Sequence, residues 1–187
     1  MEVRDGELML RVAEGDHSSL RVLYDRYASR LTTYASYMLG DRAAAEDVVQ
    51  ETFLRVFRHA GRFDQGKRFS TWIYSIAANR CRDELRRIKR RRNFTLPLLR
   101  DASEGHAAGR MTSPMRGAAG REFTGRLREE LGALPPEQRE VIALRYLDSM
   151  KYAEIAEIAG CPLGTVQSRL HAGLKILRER LKDFWGD

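Results

Sequence analysis

Along most of the chain, apolar residues return every three or four positions with polar residues between them, the mark of helices that bury one face. A short first helix is expected around Leu8 and Val12, with a break at Gly15-Asp16. Leu20, Leu23, Tyr24, Tyr27, Leu31, Tyr34 and Met38 then form one long stripe, which predicts a second helix buried along its length. Gly40-Asp41 breaks the pattern, and Asp41 is placed to cap a third helix. Its inner face is Ala45, Val48, Val49, Thr52, Phe53, Val56 and Phe57. The stretch HAGRFDQGKRFS holds two glycines and has no period, so it reads as a loop. Ser70 can cap a fourth helix whose inner face is Ile73, Ile76, Ala77, Cys81, Leu85 and Ile88. No convincing period-two strand occurs.

The pattern lapses after Arg92. Residues 93–120 include DASEGHAAGRMTSPMRGAAG, rich in Gly, Ala and Ser, which cannot bury enough apolar surface to fold alone and predicts a flexible linker. Periodicity returns at Phe123, Leu127 and Leu131, and Pro135-Pro136 marks another helix start, with Val141, Ile142, Arg145 and Tyr146 following at helical spacing. The expectation is an all-α chain of two small helical domains, 1–92 and 121–187.

The end of the second domain reads EIAEIAGCPLGTVQSRLHAGLKILRERL: two helical patterns around a turn of Gly160, Cys161 and Pro162. Ile155, Ala156 and Ile158 anchor the first helix; Val166, Leu170, Leu174 and Leu177 face inward from the second. Thr165, Gln167, Ser168, Arg169, His171, Lys175 and Arg178 are left outward. A helix-turn-helix places such residues in a DNA groove, the first ones at base edges and later cations at phosphates. The bland alternative is a helical hairpin with a solvated polar face.

Composition sharpens this. The chain has 187 residues and a formal net charge of +7, which favours an anionic partner, nucleic acid first and a membrane surface second. No apolar run approaches the roughly 20 residues of a spanning helix, and the N-terminal stretch lacks the apolar core of a signal peptide, so a soluble intracellular protein is expected without membrane insertion. Cys81 and Cys161 are far apart, within apolar helical patterns, and read as small buried hydrophobes rather than a disulfide. His17, His59, His106 and His171 are dispersed, with no ligand spacing and no phosphate loop, so no catalytic residue, metal or cofactor is expected.

A second constellation is RFSTWIYSIAANRCRDELRRIKRRR. Phe63, Phe69, Trp72 and Tyr74 cluster at the loop and helix start, and the helix ends in a basic run. Single-stranded nucleic acid needs flat apolar faces for bases and cations for phosphates. Trp72 alone reads as core. A third, AEDVVQETFLRVFR, leaves Asp47, Gln50, Glu51 and Arg55 on an outward polar face, which by itself is only a solvated helix.

Taken in order, AEDVVQETFLRVFRHAGRFD, FSTWIYSIAANRCRDELRR and LPPEQREVIALRYLDSMKYAEIAEIAGCPLGTVQSRL resemble the extracytoplasmic-function branch of the sigma-70 family, over nearly the whole chain outside the linker. The resemblance implies a cytoplasmic bacterial factor that binds core RNA polymerase, recognises and opens promoter DNA, and serves a stress- or signal-responsive regulon, usually under an anti-sigma factor. It assigns Asp47, Gln50, Glu51 and Phe53 to the helix that docks on polymerase, with Phe53 partly core. It assigns Asn79, Arg80, Arg82 and Arg86 to the minus-ten surface, and the loop with Phe63, Lys67, Arg68, Phe69 and Ser70 to a base flipped from the melted non-template strand. The helix-turn-helix residues named above would read the minus-thirty-five element. Where many relatives carry an Arg-Ala-Arg run, this chain has His171-Ala172-Gly173-Leu174, so no contact carries over to Ala172 or Leu174. Gly173 is expected to cost an exposed helix roughly 1 kcal/mol. The runner-up is an autonomous helix-turn-helix regulator; it has no need of a base-stacking surface, and no coiled-coil dimer seam is present. A serine recombinase would need a β-sheet and a nucleophilic serine near its start, whereas Ser18 and Ser19 sit in a helical stretch.

Overall fold

The computed structural model describes residues 3–95 and 118–182, and every described regular element is helical. The expected linker lies mostly outside these residues. The chain divides into two compact units, one ending at Ala107 and one beginning at Ala108.

The first unit holds α1 (Asp5–Ala13), α2 (His17–Leu39), α3 (Arg42–Arg58), a 3-10 turn (Ala60–Arg62) and α4 (Phe69–Thr95). Both predicted breaks are capped as their chemistry requires. The Asp16 carboxylate accepts the Ser18 backbone N–H at 2.8 Å and the Ser18 and Ser19 hydroxyls at 2.6 and 2.7 Å. These bonds, Ser18's first, pull its pKa down to about 2. Asp41 accepts the Ala44 N–H at 2.9 Å, and Gly40 takes the left-handed conformation (φ 72°) that a side chain would resist. Leu23, Leu31, Tyr34 and Met38 of α2 meet Val49 and Val56 of α3 and Ile73, Tyr74, Ala77 and Cys81 of α4 in a close-packed core.

Four expectations change at the edges of this core. Leu20 is only half-buried and Tyr24 is 44% exposed, because the Tyr24 ring covers Phe53 (centroids 4.9 Å apart) with one face toward solvent. Phe57 is 39% exposed and leans on the His17 ring. Ile76, Leu85 and Ile88 are half-buried, since α4 has 27 residues against 17 in α3 and its flanks are only partly covered. Ser70 is not the cap: α4 opens at Phe69, whose buried ring fixes the start, and Trp72 N–H bonds the Arg68 carbonyl.

The second unit holds α5 (Ala118–Gly132), α6 (Pro136–Tyr146), α7 (Tyr152–Ala159) and α8 (Leu163–Arg180). Pro135 caps α6 and Pro136 is its first residue, a position where no N–H is needed. Its core is Leu131, Val141, Leu144, Ile155, Ile158, Val166, Leu170 and Leu177. The buried Arg139 guanidinium donates to the carbonyls of Gly132 and, at 3.0 Å, Leu134, fastening the turn between α5 and α6.

Gly173 corrects the sequence expectation. It is buried rather than exposed, at the crossing of α6 and α8. A Cβ there would lie 2.6 Å from Ile142 Cδ1 and 3.3 Å from Gln138 Cβ. The missing side chain is therefore what lets the two helices touch, and its low helix propensity is offset by that contact. Leu174 is half-buried beside it, not fully inward.

Candidate nucleic-acid interface

In the first unit, α3 and α4 pack against each other and leave a polar groove. Asp47 and Glu51 line one wall; Arg80, Asp83, Glu84, Arg87 and Arg90 line the other. Arg80 bonds the Glu51 carboxylate and also approaches Asp83 at 3.7 Å, while Arg55 reaches Glu51 at 3.6 Å. The cations of α4 are thus partly held by their own helix: Arg86 pairs with Asp83 and Arg87 with Glu84 at 2.7 Å. That Glu84 contact raises the Arg87 pKa.

Of the residues assigned to the polymerase side, Asp47 and Gln50 are exposed, Glu51 is half-buried and Phe53 is buried under Tyr24. Leu54, missed in the sequence, is 49% exposed one turn beyond Gln50, and Phe57 follows. Asp47, Gln50, Leu54 and Phe57 recur at steps of three and four, so they form one mixed polar and apolar ridge. The signal was available: Leu54 falls outside the buried period of α3 yet is large and apolar.

The minus-ten candidates separate into two sets. Asn79, Arg82 and Arg86 share one face of α4, with Arg82 donating to Asn79 Oδ1 at 2.7 Å and Asn79 and Arg86 exposed. Arg80 points instead into the groove with Glu51, a long-range pairing that periodicity does not reveal. In the loop, Phe63 and Phe69 are buried and pack edge-on at 5.8 Å. Trp72, half-buried, leans on both. Beyond this aromatic foot, Asp64, Gln65, Gly66, Lys67 and Arg68 are exposed, and Ser70 is half-buried. Asp64 shapes the tip by accepting the Gly66 N–H at 2.9 Å.

In the second unit, Gly160 ends α7 in the left-handed conformation (φ 62°), and the Cys161 N–H returns to the Ala156 carbonyl at 3.1 Å. Cys161 lies in this turn, half-buried, not within a helix; Cys81 is fully buried, and neither forms a disulfide. Gln167, His171, Lys175 and Arg178 share one exposed face of α8 at steps of four and three. Ser168 is exposed with its hydroxyl on the Thr165 carbonyl at 3.0 Å; Thr165 is half-buried. Arg169 leans back over the turn, with Nη1 3.6 Å from Cys161 Sγ. Leu163, 46% exposed at the start of α8, was not singled out in the sequence.

The family model described as Sigma-70 region 2 matches residues 23–92, and that described as Sigma-70, region 4 matches residues 124–177. The ECF RNA polymerase sigma factor SigW of Bacillus subtilis (strain 168) is 31% identical over 188 residues, covering 98% of this chain and all of SigW. The chain belongs to the ECF RNA polymerase sigma factors. An ECF RNA polymerase sigma-E factor of Haemophilus influenzae is 29% identical, over 97% of each chain. As a sigma factor, the protein serves promoter-specific transcription initiation, and the autonomous-regulator reading is not favoured.

Two solved structures share the helical fold. CnrH in complex with the cytosolic domain of CnrY has a TM-score of 0.70 at 23% identity, covering 96% of this chain and 97% of that one. The sigma factor RpoE in complex with the anti-sigma factor NepR from Bartonella quintana has a TM-score of 0.68 at 23% identity, covering 87% and 96%. Among the described residues of this sigma factor, no helix is long and apolar enough to cross a membrane.

Proposed function

We propose that the two units divide promoter recognition between them. The α3 ridge of Asp47, Gln50 and Leu54, with Glu51 behind it and Phe53 holding its base, docks on core RNA polymerase. The α4 face of Asn79, Arg82 and Arg86 and the tip of the loop at 63–70 engage the melted minus-ten strand. In this reading Phe63 and Phe69 act from beneath, fixing the loop, while Lys67, Arg68 and Ser70 face the nucleic acid. The exposed face of α8 enters the major groove of the minus-thirty-five element, with Gln167 and Ser168, and Thr165 beside them, near base edges and His171, Lys175 and Arg178 toward phosphate, while Arg169, turned back over Cys161, braces the turn.

The observation that carries the reading is the pair of unlike surfaces on one bundle. The α3 ridge mixes carboxylate, amide and apolar side chains, as a protein partner requires, whereas the α4 face presents an amide and guanidinium groups, as a nucleic acid requires. The chain acts in the bacterial cytoplasm as a non-enzymatic subunit: polymerase performs the chemistry, and this protein supplies recognition and strand opening. An anti-sigma factor is its proposed inhibitor, a reading supported by the two structural neighbours having been solved with CnrY and NepR.

The test is Asn79→Ala in reconstituted holoenzyme. Strand opening, read by reactivity of unpaired thymines, falls more than duplex promoter binding. An equal loss of both would remove the single-strand role from α4.

A further inference from the structure

The first residue of α1 is tied to a segment far from it in sequence. The Asp5 carboxylate accepts from Arg26 Nη1 at 2.6 Å and from the Tyr27 hydroxyl, both on α2. Arg26 also donates to the Val3 carbonyl at 2.8 Å, so the entry to α1 is pinned at two points. The Asp5 and Arg26 side chains are only 24% and 23% exposed, which strengthens the pair over a surface one. Burial, with the Asp5 bond second, raises the Tyr27 pKa and keeps its hydroxyl a donor.

Tyr27 carries that tether to the loop. Its ring stands edge-on to Phe69 with centroids 5.2 Å apart, and Phe69 is part of the aromatic foot beneath residues 63–70. A second contact joins α1 to the tip directly: a Cβ on Gly6 would lie 2.9 Å from Gln65 Oε1, so a side chain there would make the Gln65 amide swing aside. Arg4, Glu7 and Leu10 share a cleft with Gln65, Lys67 and Arg68. Burying the α1 face needs only Leu8, Met9 and Val12. Asp5 instead bonds Arg26 and Tyr27 of α2, and Gly6 faces Gln65 of the loop.

We propose that α1 is a positioning brace for the loop, with Asp5 acting through Tyr27 and Gly6 acting against Gln65 to set which minus-ten base the loop accepts. The proposal rests on the reading of that loop as part of the minus-ten surface. Discriminating one base from another requires contacts held to within about 0.5 Å, which an exposed five-residue tip cannot supply from its own turn alone. None of Asp5, Gly6 and Tyr27 touches the base; they are positioning residues.

The experiment uses the full chain in holoenzyme with core RNA polymerase and a promoter library randomised at the minus-ten element, sorted by strand opening. Asp5→Ala and Tyr27→Phe are compared with the parent; Tyr27→Phe keeps the ring on Phe69 and removes only the hydroxyl. Both variants flatten the base preference about tenfold, the scale of one lost hydrogen bond to a charged group, at unchanged affinity for core enzyme. Gly6→Ala shifts the preferred base by displacing Gln65. A uniform loss of opening across the library, with preference intact, overturns the proposal and leaves α1 a structural element. Lys67→Ala combined with Arg68→Ala separates the underlying reading. If this loop variant changes the preference while the α1 variants do not, the brace alone falls. If the loop variant also leaves it unchanged, the loop reads no base and both fall.

Discussion

Arg80 of α4 bonds Glu51 of α3 across the groove between them, joining a residue assigned to promoter DNA to one assigned to polymerase. Their side chains are 26% and 40% exposed, so the pair is neither dry nor fully screened. A double-mutant cycle of Arg80→Ala and Glu51→Ala should give a coupling of about 0.5–1 kcal/mol by thermal unfolding. Because Arg80 braces Glu51, Arg80→Ala is expected to lower core-polymerase affinity as well as strand opening, whereas Arg82→Ala lowers opening alone. Equal effects of the two variants on polymerase affinity would contradict this division.

Gly173 sets the distance between α6 and α8. Gly173→Ala improves helix propensity yet drives a methyl to within 2.6 Å of Ile142 Cδ1, so it should destabilise the second unit by about 1–3 kcal/mol. Ile142→Val removes the clashing carbon. The double variant should therefore be less destabilised than the sum of the singles, a sign that denaturant midpoints read directly. Strict additivity would show that the clash relaxes elsewhere.

The cap on α2 should fade in acid. Asp16 has its pKa lowered from 3.8 to about 2 by Ser18 and Ser19, so its contribution is complete above the unfolded value. It is lost progressively as pH falls from about 3.8 through about 2. Asp16→Ala should lower the unfolding midpoint at neutral pH and converge on the parent only as pH falls below about 2. A constant difference across that window would mean the cap does not titrate.

Along α8, base-reading and phosphate-binding residues should differ in kind. Gln167→Ala is expected to weaken binding to the preferred duplex by about 1–3 kcal/mol and relax its sequence preference. Lys175→Ala should weaken all duplexes similarly and reduce the salt-dependence slope by about one. Titrations at several salt concentrations distinguish the two, and a shared profile would move Gln167 off the base edges.

The helices were legible because burial enforces a period: Leu23, Leu31 and Tyr34, or Val166 and Leu170, leave little else to read. The cap at Asp41 was equally local, since a carboxylate beside a helix start has few alternatives; Asp16 was read only as part of a break, and its cap on α2 emerged with the Ser18 and Ser19 bonds. What escaped was set by tertiary contact. Gly173 reads as a weak point in a lone helix and becomes a contact point only once Ile142 is opposite it. Arg80 sits one position from Asn79, yet its direction is decided by Glu51, 29 residues away. Phe63 and Phe69 read as stacking faces from composition, and their rings pack on each other. Leu54 and the brace through Asp5 were invisible to a search for buried periods.

The most direct test of the account is gel filtration of the purified chain with bacterial core RNA polymerase, without DNA. A stable 1:1 complex is expected at moderate salt, weakened when Asp47→Ala and Gln50→Ala are combined in a chain that keeps its helical content. Absence of any complex, with tight binding of duplex DNA by the chain alone, would contradict it.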